Sequence, residues 1–239
     1  MSDDRDLERI HGDPSIELVL EVAEATARDV VADVGCGGGV LSFALAPAVS
    51  SIAAVDDRRE AIDEARRLAV EVGVDNVAFS AVNLYALPFS SESFTLAVSR
   101  NAIHRFREPV AALKEMARSL TPAGRVVVYD TVVTPDVDRY LNELARLADA
   151  THRRHCSRDE FFYQFENAGL KVEVERQDRR TVDLAYWLEA AAVDSDRADL
   201  IRRRLQELSL KVQTAIDLAV SDRLVSFSYD VVCFRLTHA

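Results

Sequence analysis

The chain is poor in cysteine, in lysine and in positive charge. Its three cysteines, Cys36, Cys156 and Cys233, are odd in number and far apart. They offer neither a disulfide framework nor paired metal-ligand spacing, so a reducing, cytoplasmic setting and no metal site are expected. Basic residues number 29 against 40 acidic ones, a net charge of −11, and only three of the 29 are lysines. Such a surface repels nucleic acids and anionic membranes, so neither is an expected partner. The start, Met1-Ser2-Asp3-Asp4-Arg5-Asp6, lacks the basic segment and apolar core of a signal peptide. No internal repeat or low-complexity tract interrupts the 239 residues. One domain over 1–239 is expected, with its core at about 16–135 and later helices and last strands, about 136–239, covering an acceptor.

Charge is also missing locally. Val34 to Val55 runs 22 residues without a charged side chain, long enough to raise a membrane span. Four glycines, Pro47 and several serines break it up, so turn, helix and strand are predicted there instead.

The most informative stretch is Val30-Val31-Ala32-Asp33-Val34-Gly35-Cys36-Gly37-Gly38-Gly39. An apolar run ends in an acid and a glycine cluster, and a helix-compatible segment starts at Val40. This predicts a buried strand, a tight turn and a helix. Glycines let the backbone take φ > 0 and let a ligand lie against the main chain. The helix start is expected to offer unpaired N–H groups and partial positive charge.

Around it, strands and helices alternate. Residues 1 to about 13 are polar and expected to be loose. Ile16, Val19, Leu20 and Ala23 predict an amphipathic helix. Strand two is Ser51 to Val55, ending at Asp56-Asp57. A helix with Ile62, Ala65, Ala69 and Val72 inward is closed by Gly73. Strand three is Val77 to Ala81 and strand four Phe94 to Ser99. A helix bearing Val110, Leu113, Ala117 and Leu120 leads through a turn, Thr121-Pro122-Ala123-Gly124, to strand five, Arg125 to Tyr129. This rhythm predicts an α/β, doubly wound, mainly parallel sheet. Beyond it come a helix over 136–149, a capping box at Ser157 and Glu160, and a strand from Leu170 to Glu175 after Gly169. A long, mostly helical pattern with Ile201, Leu205, Leu208, Val212 and Ile216 follows, then a last strand from Leu224 to Leu236.

The candidate ligand residues fall at C-terminal strand ends, where such sheets bind ligands. Asp56, 23 positions after Asp33, can accept the ribose hydroxyls of an adenosine cofactor; Asp56 or Asp57 could instead cap a helix. A nicotinamide fingerprint needs a third glycine where Val40 stands. His104, after strand four, is the candidate general base, with a structural loop-holding role as the alternative. His152-Arg153-Arg154-His155-Cys156 reads as a polar loop facing substrate rather than a metal or anion site. Arg202-Arg203-Arg204 reads as a solvated helix face.

The spacing Asp33-x-Gly35-x-Gly37-x-Gly39 resembles the first motif of class I S-adenosylmethionine-dependent methyltransferases. Ala81 to Phe89, Phe94 to Phe106 and Leu120 to Arg125 resemble the UbiE-like, or type 11, group. Asp138 to Leu144 is similar to its YcgJ-like branch, whose loop Arg-Asp-Pro-Ser-His is here Ala148-Asp149-Ala150-Thr151-His152. The resemblance implies a seven-stranded Rossmann-like sheet and S-adenosylmethionine as cofactor, with S-adenosylhomocysteine as product. It implies cofactor contacts from Asp33, Gly35, Cys36, Gly37, Asp56, Asp57, Asn83, Leu84 and Ser99. Among these, Asn83 stands where the family has an aspartate for the adenine amino group, Leu84 lies against the adenine, and the Ser99 carbonyl faces the cofactor's ammonium. The activity implied is methyl transfer to a small-molecule acceptor. A non-catalytic binder of the same cofactor is the alternative, RNA methylation is disfavoured by charge, and a homodimer stays open.

Overall fold

The computed structural model describes residues 13–221 and 224–239. The loose start expected over residues 1 to about 13 therefore lies outside the described residues, except for Asp13. That residue caps the first helix, accepting from the Ser15 N–H at 2.9 Å.

The elements in order are α1 (Pro14–Ala23), β1 (Val30–Val34), α2 (Val40–Leu45), β2 (Ser51–Asp56), α3 (Arg59–Val72), β3 (Val77–Ala81), β4 (Phe94–Arg100) and α4 (Pro109–Ser119). There follow β5 (Leu120–Val132), α5 (Asp138–Ala148), α6 (Arg158–Asn167), β6 (Leu170–Asp183), α7 (Leu184–Ala190), α8 (Ser195–Gln206), α9 (Leu210–Ala215), β7 (Ala219–Val220) and β8 (Val225–His238). Two compact units divide them. One is Met1–Asp130 with Phe162–Arg176 and Cys233–Ala239; the other is Thr131–Phe161 with Gln177–Val232.

The sheet order is β3-β2-β1-β4-β5-β8-β6, with β7 attached to β8. β1 pairs in parallel with β2 and with β4, β3 with β2, and β5 with β4. This is the expected Rossmann-like α/β sheet. The chain winds outward from β1 to β3 and returns to β4 on the other side of β1. The C-terminal ends of β1 and β4 thus flank the switch point, where doubly wound sheets take ligands.

Within the first unit β1 is buried on both faces, with Val31, Ala32 and Val34 fully enclosed. That is why it reads as an unbroken apolar run. On α3 the predicted stripe is buried at Ile62, Ala65 and Ala69; enclosing Ile62 alone contributes about 1.5–3 kcal/mol. Gly73 ends α3 in the left-handed conformation, φ 72°. The uncharged stretch from Val34 to Val55 is a turn, α2, a 3-10 turn and β2. Among the described residues no helix is long and apolar enough to cross a membrane.

Three boundaries differ from expectation, the first being that α4 ends at Ser119, so that Leu120 opens β5 instead of closing the helix. Thr121-Pro122-Ala123-Gly124 is not a turn before strand five but lies within β5. Phe94 pairs with Leu120 and Leu96 with Arg125, so the extra residues bulge out between those pairs. Pro122 has no N–H for the ladder, and a bulge accommodates that lack. β6 runs to Asp183 rather than Glu175, so helix resumes only at Leu184.

The second unit closes on its own apolar cluster, which includes Leu141, Leu144, Leu188, Ile201, Leu205 and Phe227. The predicted stripe Ile201, Leu205, Leu208, Val212 and Ile216 is buried there. Arg202, Arg203 and Arg204 lie on the exposed face of α8. The capping box before α6 forms: the Ser157 N–H donates to Glu160 Oε2 at 2.7 Å and the Glu160 N–H to Ser157 Oγ at 3.3 Å. The two-residue strand β7, antiparallel to β8, was not legible in the pattern.

Candidate cofactor and catalytic site

The turn after β1 has the backbone its glycines predict. Gly35, Gly37 and Gly39 have φ of 78°, 55° and 83°, the left-handed region that side chains resist. Space matters as well. A Cβ on Gly35 would lie 2.6 Å from the Ala102 Cβ, and one on Gly39 would lie 2.8 Å from the Phe79 ring. Gly35 to Gly38 nonetheless remain partly exposed, so a ligand can reach the main chain.

The N–H groups of this turn are less free than the sequence suggests. Gly35 and Cys36 both donate to the Val55 carbonyl, at 2.8 and 3.0 Å, and Gly39 donates to Cys36. The Gly37 N–H goes to Asp56 Oδ2 at 2.8 Å. The helix behind is only six residues long, so it has little macrodipole to offer. Asp33, fully buried beneath the turn, accepts from Ser42 Oγ at 2.6 Å. Burial pushes its carboxyl up to about 6 against the pull of that hydrogen bond. The Cys36 thiol is pushed far above its ordinary range, by burial first and then by the charges of Asp33 and Asp56.

At the end of β2, Asp56 is buried and aimed at this turn. Its Oδ1 accepts from the Arg58 N–H at 3.0 Å and from Arg58 Nε at 3.2 Å. Arg58, not Asp56 or Asp57, holds the N-cap position of α3, and Asp57 is exposed. After β3, Leu84 is buried and Asn83 exposed. Asn83 Oδ1 accepts from the Tyr85 N–H at 3.0 Å, which folds a local turn.

Ser99, buried in β4, donates through Oγ to the Val34 carbonyl at 2.9 Å and so ties β4 to β1. Beyond it, Asp130 on β5 grips His104 twice. Its Oδ2 accepts from the His104 N–H at 3.1 Å, and its Oδ1 lies 2.7 Å from Nδ1. Asp130 is completely buried and His104 nearly so. Paired with an ionised carboxylate, which only accepts, Nδ1 donates its N–H to Asp130 Oδ1. Asp130 thus holds the loop after β4 and fixes the orientation of the imidazole ring.

The second histidine cluster is organised by Asn142. Its Oδ1 accepts from the His155 N–H at 2.7 Å and lies 2.9 Å from His152 Nε2, and the two imidazole rings are 4.4 Å apart. Arg154 is forked onto Asp138 at 2.6 and 2.9 Å and onto Glu160 at 3.0 Å. Those carboxylates raise its affinity for its proton. Arg154 is thus bound to its own chain's acids rather than displayed to an anion. Asp149 Oδ1 accepts from Thr151 at 2.8 Å, which forms the turn ahead of His152.

Asp130, Arg58 and Ser42 were not candidates from sequence. Asp130 had a signal: it ends the apolar run Val126 to Tyr129 as Asp33 and Asp56 end theirs. Arg58 and Ser42 had none.

The chain is similar to known proteins over most of its length. The sequence model of a family described as a methyltransferase domain matches residues 25–184. YcgJ of Bacillus subtilis, an uncharacterized methyltransferase, is 30% identical over 194 residues, covering 80% of this chain and 77% of its own. The crystal structure of YcgJ superposes with a TM-score of 0.88 at 27% identity, covering 95% of this chain and 99% of that one. A putative methyltransferase from Bacillus halodurans has the same fold, with TM-score 0.86, 21% identity and 94% and 98% coverage. A glycine turn at the switch point, an acid closing the neighbouring strand and a match over most of the chain lead to one conclusion: this protein belongs to the class I S-adenosylmethionine-dependent methyltransferases.

Proposed function

We propose that this chain binds S-adenosylmethionine across the turn after β1 and transfers its methyl group to a small-molecule acceptor. The observation that carries the reading is the turn itself. Three left-handed glycines leave the main chain partly open, and the buried Asp56 carboxylate is pinned against it by the Gly37 N–H at 2.8 Å. The residues fit the cofactor. Gly35, Cys36 and Gly37 would line its methionine and ribose portion, Asp56 would accept from the ribose, and Asp33 and Asp57 would flank it. Leu84 would meet the adenine. The Asn83 side-chain carbonyl, already used by Tyr85, would have its second lone pair for the adenine amino group. The Ser99 carbonyl would face the ammonium.

When bound, S-adenosylmethionine supplies an electrophilic methyl group on sulfur. The protein's own task is alignment and proton removal. Orientation of a nucleophile in line with the breaking bond contributes on the order of 7–11 kcal/mol. For a hydroxyl or protonated amine acceptor, His104 takes the proton at Nε2 while Asp130 holds the ring through Nδ1.

Calorimetry with S-adenosylmethionine, S-adenosylhomocysteine and NAD in parallel tests the cofactor: the first two bind and NAD does not. Turnover of labelled S-adenosylmethionine against a metabolite panel then tests transfer. Binding without turnover of any acceptor would favour the non-catalytic binder, and NAD binding alone would discard both readings.

A further inference from the structure

Assigning Asp56 to the ribose sets up a conflict on its own carboxylate, and the role inferred for Arg58 rests on that assignment. An ionised carboxylate has about four lone-pair positions. Three donors already occupy Asp56: the Gly37 N–H on Oδ2 at 2.8 Å, and the Arg58 N–H and Nε on Oδ1 at 3.0 and 3.2 Å. A ribose diol brings two hydroxyl donors to the one position left. The two backbone donors are built into the turn and the start of α3. The Arg58 side chain is not. It is 48% exposed and makes no cap bond to α3, so it can swing into water without undoing the helix start. Its outer nitrogen lies 3.4 Å from where a Cβ on Gly37 would stand, over the glycine turn.

We infer that Arg58 is a specificity-determining residue of the cofactor site: its guanidinium stands in for one ribose hydroxyl on Asp56 Oδ1. A ligand bearing both hydroxyls displaces it, whereas a ligand bearing one leaves it in place. The site thus sets the cost of displacing Arg58 against the gain from the second hydroxyl.

Titration calorimetry on the full chain separates the possibilities, with S-adenosylhomocysteine and its 2′-deoxyribose analogue as ligands. Arg58→Ala tightens S-adenosylhomocysteine roughly 3–10-fold, the net scale of one ordinary hydrogen bond, and leaves the deoxy analogue unchanged. Arg59→Ala removes the same charge from the exposed neighbouring residue and changes neither ligand. Equal tightening of both ligands would mean simple charge repulsion and would overturn the inference. So would weaker or unchanged binding of S-adenosylhomocysteine to the Arg58 variant. A wild-type chain that binds neither ligand would overturn the cofactor assignment itself, and that result is distinguishable because it needs no variant. Unchanged thermal melting of both variants confirms that folding is not being read.

Discussion

The turn after β1 and the loop after β4 leave neighbouring strands of one sheet, yet opposite materials shape them. The turn is held by main chain: glycines in the left-handed region, with N–H groups paired to Val55 and Asp56. The loop is held by a side chain from elsewhere, since Asp130, 26 residues away, fixes both the backbone and the ring of His104. A backbone-built site tolerates almost no side chain where its glycines stand. A side-chain-built site tolerates its backbone but not the loss of one carboxylate. The first suits a ligand held by shape, the second a proton held by orientation.

That contrast can be broken most forcefully at the loop. Once an acceptor is in hand, His104→Ala lowers methyl transfer roughly 10²–10⁴-fold, the usual contribution of a general base, while cofactor affinity stays unchanged. Asp130→Asn lowers transfer as well, because the amide can present its NH₂ to Nδ1 and favour the wrong tautomer. Turnover kinetics beside calorimetry reads both; retained transfer in His104→Ala would leave only the loop-holding role.

At the turn, Gly35→Ala meets both positive φ and the Ala102 Cβ, and destabilises the fold by on the order of 2–4 kcal/mol. Gly38→Ala, with nothing within 4 Å of its Cβ and no positive φ, stays within about 0.5 kcal/mol of the parent. Denaturant unfolding of the pair measures the difference. Similar losses in both would mean that space and φ do not govern the turn.

Asp33 gives a smaller, pH-dependent effect. Its folded value of about 6 lies above the 3.8 of an unperturbed aspartate, so the folded state holds the proton more tightly than the unfolded one. The resulting penalty is absent below the unfolded value and fully present above the folded one. Acidification from pH 7 to pH 5 therefore returns about 1–1.5 kcal/mol of stability. Asp29 works the other way. Burial would raise its carboxyl, but Arg125, Thr95 and the Thr26 N–H hold it well below the usual range. Its stabilisation is lost only in stronger acid, outside that window. Asp33→Asn should flatten the gain between pH 7 and pH 5, and an unaltered slope would locate the proton elsewhere.

The smallest effect is kinetic. Cys36, although on the partly exposed turn, alkylates more slowly than a fully solvated thiol at mildly alkaline pH, because desolvation of the sulfur and the charges of Asp33 and Asp56 suppress its thiolate. Peptide mass spectrometry over time reads this, and rapid labelling would place Cys36 in a more open setting.

Much of the turn was legible from residues alone, because strand, bend and helix start are consecutive and each leaves a composition mark. The same holds for Gly73 closing α3 and for the Ser157–Glu160 capping box, whose partners stand three residues apart. The loop was legible only as far as His104. Its partner lies on another strand, and β5 hides its own register behind the bulge at Thr121 to Gly124. Arg58 left no mark, since its role depends on which carboxylate the helix start brings within reach. Among the residues proposed for the cofactor, Gly35 has the left-handed backbone expected of the turn's glycines. The local use of the Asn83 carbonyl and the crowding of Asp56 were decided by neighbours.

The sequence by itself determined the alternating α/β chain, the parallel sheet and the position of the glycine turn. Periodicity and backbone preference act over a few residues, and neither needs a distant partner. Tertiary structure alone decided that Asp130 would orient His104, that Asp33 would hold a proton near pH 6, and that Arg58 would sit on Asp56. Hydrogen-bond partners and desolvation are properties of space rather than of the chain, and only the assembled sheet brings those groups together and away from water.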